Sequence, residues 1–361
     1  MHRSQEPAAS HATLLAKDTF ALKSDSTVLV TGANGYIASH VANELLKLGY
    51  RVKGTVREPK PWLNKMFNDR YGPNRFTSAV LHSYDNVGRI CDMLEGVETI
   101  IHLAGNIVIS DNPEVILPSI KLVTNVLEAA ATKPSVTRVV LASSSMAAYT
   151  PIPDQEGVIV TADTWNDRAV REAWDALPAQ KWTTPDSQWK KRLAIYSACK
   201  TEMERQAWNW ILQNKPSFEF NAVLAAFTVG RIIHRQIGGS TMGWVRGLLE
   251  GEKQPLLLVP PKWFVDVEDV ARLFTIAACD STVRGQRLFA FAESHNWADI
   301  IQILRACQPS HPLIPDPPAE EGRDLAKILP RERALELLRK WYGQRHWTPI
   351  AVSIKRGLES Q

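Results

Sequence analysis

Cysteine is scarce and scattered. The four thiols, Cys91, Cys199, Cys279 and Cys307, form no C-x-x-C pair and no Cys/His spacing suited to a metal. That argues against a zinc site or a disulfide framework and fits a reducing, cytoplasmic setting. Long apolar runs are also missing. No stretch of about 18 apolar residues occurs, so no membrane span is expected. The first 25 residues mix Glu, Lys and Asp without an apolar block, so no signal peptide is expected either. Charge of one sign is not concentrated: 42 Lys and Arg against 38 Asp and Glu leave +4, dispersed apart from short clusters such as Lys190-Lys191-Arg192. A nucleic-acid partner is therefore not implied. Repeats and low-complexity tracts are absent. What is there is a chain of 361 residues, 45% hydrophobic and 22% charged, able to bury a substantial core in one large or two unequal domains.

The first informative stretch is VTGANGYIASHV, residues 30–41. A β-branched run at 27–30 precedes it, and residues 41–48 show helical periodicity that Gly49 stops. Strand, glycine turn and helix follow in order. In such a unit Gly32 lets the chain turn off the strand, Gly35 lets the backbone approach a pyrophosphate, and Ala38 keeps the helix close to the strand. The amides at the helix start then face an anion. The spacing is G-x-x-G-x-x-A, and the reading is a nucleotide site.

The rest of the chain continues the alternation. A second strand at 50–56 is halted by Pro59 and Pro61; a third at 79–81 leads to a helix at 88–94; a fourth, at 99–104, is apolar on both faces. A helix at 112–131 and a fifth strand at 138–142, ending in Ser143-Ser144-Ser145, complete an α/β pattern: a doubly wound parallel sheet. Residues 151–185 read as a lobe or loop over the sheet. A helix at 194–213 and a strand at 220–229 follow. Beyond that we expect a flexible segment at 238–244, a helix at 266–278, a proline-rich linker at 309–318 and terminal helices at 325–328 and 332–341.

Tyr196-Ser197-Ala198-Cys199-Lys200 carries the chemistry. On a helix, i and i+4 side chains share a face, so the phenol and the ammonium point the same way. A nearby cation favours phenolate and lowers a tyrosine pKa from about 10, making it a usable acid or base. The motif alone is common. Its weight comes from the serine cluster at the end of the fifth strand, where doubly wound sheets place their sites.

Taken together, VTGANGYIASHV, VVLASSS (139–145), YSACK (196–200) and FNAVLAAFTVG (220–230) with GGSTMGW (238–244) resemble the extended short-chain dehydrogenase/reductases. Within them the likeness is to fungal NADPH-dependent aldehyde and carbonyl reductases, similar to dihydroflavonol-4-reductases of the NAD-dependent epimerase/dehydratase superfamily. It runs from about Ser24 to the C-terminus. It implies a Rossmann fold with a smaller C-terminal substrate-binding lobe: residues 1–25 a tail, 26–230 an NADP-binding domain with an insertion at 151–190, and 231–361 mainly the lobe, interleaved with that domain.

The resemblance also implies site roles. Tyr196 would protonate the carbonyl oxygen as hydride arrives, a serine would hydrogen-bond the same oxygen, and Lys200 would bind the ribose and lower the tyrosine pKa. Ala142-Ser143-Ser144 aligns with a Thr-Ser-Ser whose second serine acts, which selects Ser144, with Ser145 as the alternative. Cofactor contacts would come from Gly32, Asn34, Gly35, Tyr36, Ile37, Ala104, Thr228, Tyr196 and Lys200. Two positions depart from the pattern: Ser83 where relatives often carry an aspartate for adenine, and Ala225 where many carry a proline. His102 reads as a packed residue with a backbone contact. Asn125 reads either as a water-mediated support of Lys200 or as helix packing.

Cofactor choice rests on Gly54-Thr55-Val56-Arg57, which has no acid at the strand tip. A carboxylate there would accept from a ribose hydroxyl and repel a 2′-phosphate; Arg57, aided by Lys60, can grip the phosphate, with Glu58 opposing. NADPH is therefore expected, with no metal. Bulky Met146, Phe227, Met242, Trp244, Trp263 and Phe264 suit an apolar or aromatic carbonyl or a ketoester. The expected enzyme is an oxidoreductase acting on carbonyl and CH–OH groups, a monomer or homodimer. The alternatives are an epimerase or dehydratase of the same superfamily acting on a nucleotide sugar or natural-product intermediate, and a nucleotide-sensing protein without turnover.

Overall fold

The computed structural model describes residues 19–105, 110–174 and 184–359. Its first half alternates β1 (Thr27–Val30), α1 (Tyr36–Lys47), β2 (Arg51–Val56), α2 (Pro61–Tyr71), β3 (Phe76–Val80), α3 (Val87–Met93), β4 (Thr99–His102), α4 (Ile116–Ala131) and β5 (Arg138–Ser144). Next come β6 (Ile159–Val160), α5 (Asp167–Trp174), α6 (Pro185–Asn214), β7 (Glu219–Ala225) and β8 (Phe227–Val229). The remainder holds α7 (Thr241–Gly247), α8 (Gln254–Leu258), β9 (Lys262–Asp266), α9 (Val267–Cys279), β10 (Arg287–Ala290), β11 (Glu293–His295), α10 (Trp297–Cys307), β12 (Lys327–Ile328), α11 (Arg331–Tyr342) and α12 (Ile350–Glu359).

Seven strands form one parallel sheet in the order β10-β7-β5-β4-β1-β2-β3, the doubly wound Rossmann arrangement. Val28, Leu29, Ile100, Ile101, Val139 and Val140 are fully buried because helices cover both faces. Strand order reverses between β1 and β4, which opens a crevice at the carboxyl ends of these strands, where such sheets bind ligands. A second sheet, β8-β9-β11, and the small β6-β12 pair stand apart from the large one.

Several elements differ from the sequence reading. The apolar run 220–229 is two strands: up to Ala225 its backbone pairs with β5 and β10, and from Phe227 it pairs with β9 in the other sheet. Residues 325–328 are extended, too short to pay for a helix nucleus, and Lys327 donates to the Val158 carbonyl beside β6. Pro61 does not merely stop β2; it opens α2 in the first turn, where a missing N–H costs nothing. Thr241–Gly247 is a helix rather than a flexible segment, with the Thr241 hydroxyl bonded to the Thr228 carbonyl. Helix α6 starts nine residues earlier than its periodicity suggests, because Thr184 and Ser187 form a capping box ahead of it. Within the segment read as a tail, the Ala21 N–H donates to the Cys279 carbonyl at 2.6 Å and Phe20 packs edge-on against Trp341.

Candidate active site

The turn from β1 to α1 is shaped by backbone demands. Gly32 has φ +65°, and a Cβ there would lie 3.3 Å from the Ala104 Cα, so the loop runs hard against the end of β4. A Cβ on Gly35 would come within 3.1 Å of the Gly32 carbonyl oxygen. Gly35 caps α1 with no side-chain bond, and no acid stands in the first helical turn, so the helix start offers its amides and positive dipole end to an anion. Ala38 is buried against the sheet as the motif requires.

The Thr31 hydroxyl accepts from the Leu103 and Ala104 N–H groups at 2.9 and 2.8 Å, which leaves its hydrogen for His102 Nδ1 at 3.0 Å. His102 thus carries its proton on Nε2, which is buried without a partner. Burial drives its pKa down to about 3, so the ring is neutral and ties β4 to β1. It acts through a side-chain hydroxyl rather than the backbone contact expected.

A cleft of about 810 Å³ opens beside this turn, within the size range of ligand sites. Gly32, Asn34, Gly35, Arg57, Lys60 and Ala104, six of the residues expected to contact the cofactor, border it. Glu58 stands 3.6 Å from Lys60. Ser83 also borders the cleft, and its hydroxyl donates to Asp85 Oδ2 at 2.5 Å. A carboxylate therefore stands beside the cleft after all, two residues beyond the position inspected for it. Asn125 donates to the Tyr84 carbonyl at 2.8 Å. The Tyr36 side chain leaves the cleft: its hydroxyl donates to the Gly230 carbonyl at 2.8 Å. Ile37 packs against the core, and the Thr228 hydroxyl bonds the Ala226 carbonyl. These three side chains are not brought to the cleft.

At the end of β5 the pleat sends neighbouring serines to opposite sides. Ser143 donates to the buried Glu204 at 2.6 Å. Ser144 accepts from the Met146 N–H at 3.2 Å and lines the same cavity as Tyr196, where it favours the ionised phenol. Burial raises the Tyr196 phenol above its usual 10, with Ser144 opposing and Cys199 reinforcing. The lowered phenol expected from Lys200 is thus not what the structure shows: burial outweighs the aids to ionisation. Lys200, one helical turn on, is itself pulled down to about 8 by burial.

Ser144, Ser145 and Tyr196 border a second cavity of about 250 Å³. Of the bulky residues expected there, Met146, Phe227 and Trp244 line it; Met242 and Phe264 are fully buried in the core, and Trp263 packs against Phe291 and Arg331. Ala225, in register with Ser144, also lines it. Sequence reasoning missed Trp189, Arg192 and Leu193, which join Tyr196 on this wall at helical spacing i, i+3, i+4, i+7. The signal was present but lay ahead of residue 194, where the sequence reading began the helix. It missed Lys262 as well, for which no local signal exists. Among the described residues no group of three His, Cys, Asp or Glu could hold a metal, and no helix is long and apolar enough to cross a membrane.

The sequence profile of the NAD dependent epimerase/dehydratase family matches residues 28–286. The chain belongs to this family. Members similar to it include ketoreductase adrE of Penicillium rubens, 44% identical over 337 residues that cover 92% of this chain and 96% of that protein. Aldehyde reductase 2 of Sporidiobolus salmonicolor is 36% identical over 343 residues, covering 94% and 96%. Among solved structures, the yeast methylglyoxal/isovaleraldehyde reductase Gre2 complexed with NADPH shares the family fold at TM-score 0.71 and 21% identity, covering 91% of this chain and 96% of that one.

Proposed function

We propose that this family member reduces an aldehyde or ketone to the alcohol at the expense of NADPH. The observation that carries the reading is the Ser144 and Tyr196 hydroxyl pair at the wall of the smaller cavity, on β5 and α6, while the end of the adjacent strand β4 borders the larger cleft. The Gly32 turn and the basic Arg57 and Lys60 fit a dinucleotide phosphate, and the names of the relatives at 44% and 36% identity agree with carbonyl reduction. When bound, the nicotinamide supplies hydride. The chain supplies the rest. Ser144 donates a hydrogen bond to the carbonyl oxygen and holds it beside Tyr196, whose phenolic proton passes to that oxygen as the carbon gains its hydrogen. A phenol with a raised pKa is protonated at neutral pH, the form that reduction consumes. Aromatic walls from Trp189, Phe227 and Trp244 favour an apolar or aromatic substrate over a nucleotide sugar. In this reading the substrate side is built mainly from residues beyond 231, interleaved with the large sheet through β10.

The test is loss of NADPH absorbance, with NADH in parallel, against aromatic aldehydes, β-ketoesters and diketones. Consumption with any of them supports the reading; tight NADPH binding with no turnover across the panel argues for a non-redox role. Two further results are expected. Arg57→Ser lowers kcat/KM for NADPH about ten- to a hundredfold, the value of a charge-assisted phosphate contact, and changes NADH use far less; equal losses with both would remove Arg57 from the phosphate site. Lys200 is cationic below its pKa of about 8. Activity that needs this charge is full at pH 7 and falls as pH rises through about 8, so a pH profile flat from 7 to 9.5 would exclude the ammonium from the mechanism.

A further inference from the structure

Strand β9 opens with Lys262, whose side chain lines the smaller cavity with Ser144, Met146 and Tyr196. An ammonium brings three donors. Among the described residues the polar contact of this one is the Met146 Sδ at 3.6 Å, a weak acceptor. Burial pulls its pKa down to about 8, which still leaves it mostly charged at neutral pH. Asp324 acts on it through charge alone, without a hydrogen bond or ion pair to it, and instead accepts from the Tyr149 hydroxyl at 2.6 Å and the Ala326 N–H at 3.0 Å. His295, its antiparallel neighbour in β11, is kept neutral with a pKa near 3. Arg192, the other cation of the cavity, is held bidentately by Asp111 at 2.6 and 2.9 Å. A partly buried ammonium on a cavity wall whose contact among the described residues is a thioether has donors left for a ligand.

We infer that the substrate carries a second, anionic oxygen close to the reacting carbonyl and that Lys262 binds it as a specificity residue. Met146 follows Ser144 by two residues, and its N–H donates to the Ser144 hydroxyl. The ammonium at its sulfur and the hydroxyl that would hold the carbonyl therefore flank the same short segment. A substrate whose carbonyl sits on Ser144 and Tyr196 can present a second oxygen to Lys262 in the same cavity, as a β-keto carboxylate or an acidic 1,3-dicarbonyl in its enolate form would. The inference rests on the carbonyl-reductase reading and names the substrate class of the same site.

The experiment compares wild type, Lys262→Met and Lys262→Arg, each first shown to bind NADPH by fluorescence, on benzoylacetate, cyclohexane-1,3-dione and the neutral propiophenone. Lys262→Gln replaces the Met variant if that one fails to fold. Wild type is expected to prefer one of the acids, and the Met variant to lower that preference, the ratio of kcat/KM values for acid and neutral ketone, about ten- to a hundredfold. Lys262→Arg retains most of it. Which acid shows the fall tells carboxylate from enolate. A ratio unchanged in the Met variant, whether both rates fall together or neither does, overturns the inference and leaves Lys262 a packing role. Should wild type consume no NADPH with any compound, the reductase reading fails separately, and calorimetry of benzoylacetate on the NADPH-loaded proteins decides the Lys262 claim: binding tenfold weaker in the variant supports it, and equal or absent binding overturns it.

Discussion

Tyr196→Phe is expected to lower kcat by about a hundred- to ten-thousandfold, the range that a positioned general acid supplies. The change removes one oxygen and keeps the ring that walls the smaller cavity, so packing and substrate fit are preserved. The partner left behind is the Ser144 hydroxyl, which keeps its bond from the Met146 N–H at 3.2 Å. NADPH affinity and KM should therefore change little while kcat collapses, the signature of an interaction made in the transition state. Steady-state kinetics with NADPH titrated by fluorescence separates the two. A variant with kcat within tenfold of wild type would show that water or another group delivers the proton. Ser144→Ala tests the choice between neighbouring serines: loss of a donor to the developing oxyanion lowers kcat by about 10² to 10³, whereas Ser145→Ala should leave it within a fewfold.

The largest effect on stability is expected from Arg287→Met, a loss of about 3–5 kcal/mol. Arg287 in β10 bonds Glu204 at 2.7 Å, with side chains 7% and 0% exposed, and Glu204 in turn accepts from Ser143 in β5. The guanidinium also donates to the Ala162 and Thr164 carbonyls at 2.6 and 2.9 Å and lies 3.9 Å over the Trp165 ring. One cation thus joins the edge of the large sheet, the segment after β6 and helix α6. Removing it strands a carboxylate away from water, which costs more than the pair ever contributed. The double variant Arg287→Met with Glu204→Gln should recover part of the loss, because no uncompensated charge remains. Urea denaturation followed by tryptophan fluorescence measures all three. A loss below about 1 kcal/mol in the single variant would mean that water reaches Glu204 and the charge is not buried.

Much of the nucleotide half was legible because its requirements are local. A positive φ favours glycine, and the Cβ that any other residue would add at Gly32 meets the end of β4, so Gly32 announces the turn. Buried parallel strands need apolar residues on both faces, so β1, β4 and β5 can be read off short windows. Tyr196 and Lys200 share a face because both lie on α6, one helical turn apart. The substrate half was legible only in part. Met146, Phe227 and Trp244 reach the cavity, but Met242, with the same chemistry, serves the core, where it leaves no room for a side chain on Gly357. Nothing in the composition of either segment separates the two outcomes. The pKa of Tyr196 was misread for a related reason: charge spacing along a helix is visible in sequence, whereas the burial that outweighs it is not.

The amino-acid order alone determined the strand-turn-helix units, the glycine turn and the shared helix face of phenol and ammonium, since each depends on backbone geometry within a few residues. Tertiary structure alone decided that residues 220–229 divide between two sheets, that Arg287 meets Glu204 across 83 positions, and that Lys262 shares a cavity with Ser144. Those outcomes depend on which faces are buried against one another, and side chains far apart in the chain acquire their solvent exposure and their partners only when the sheets and helices have packed.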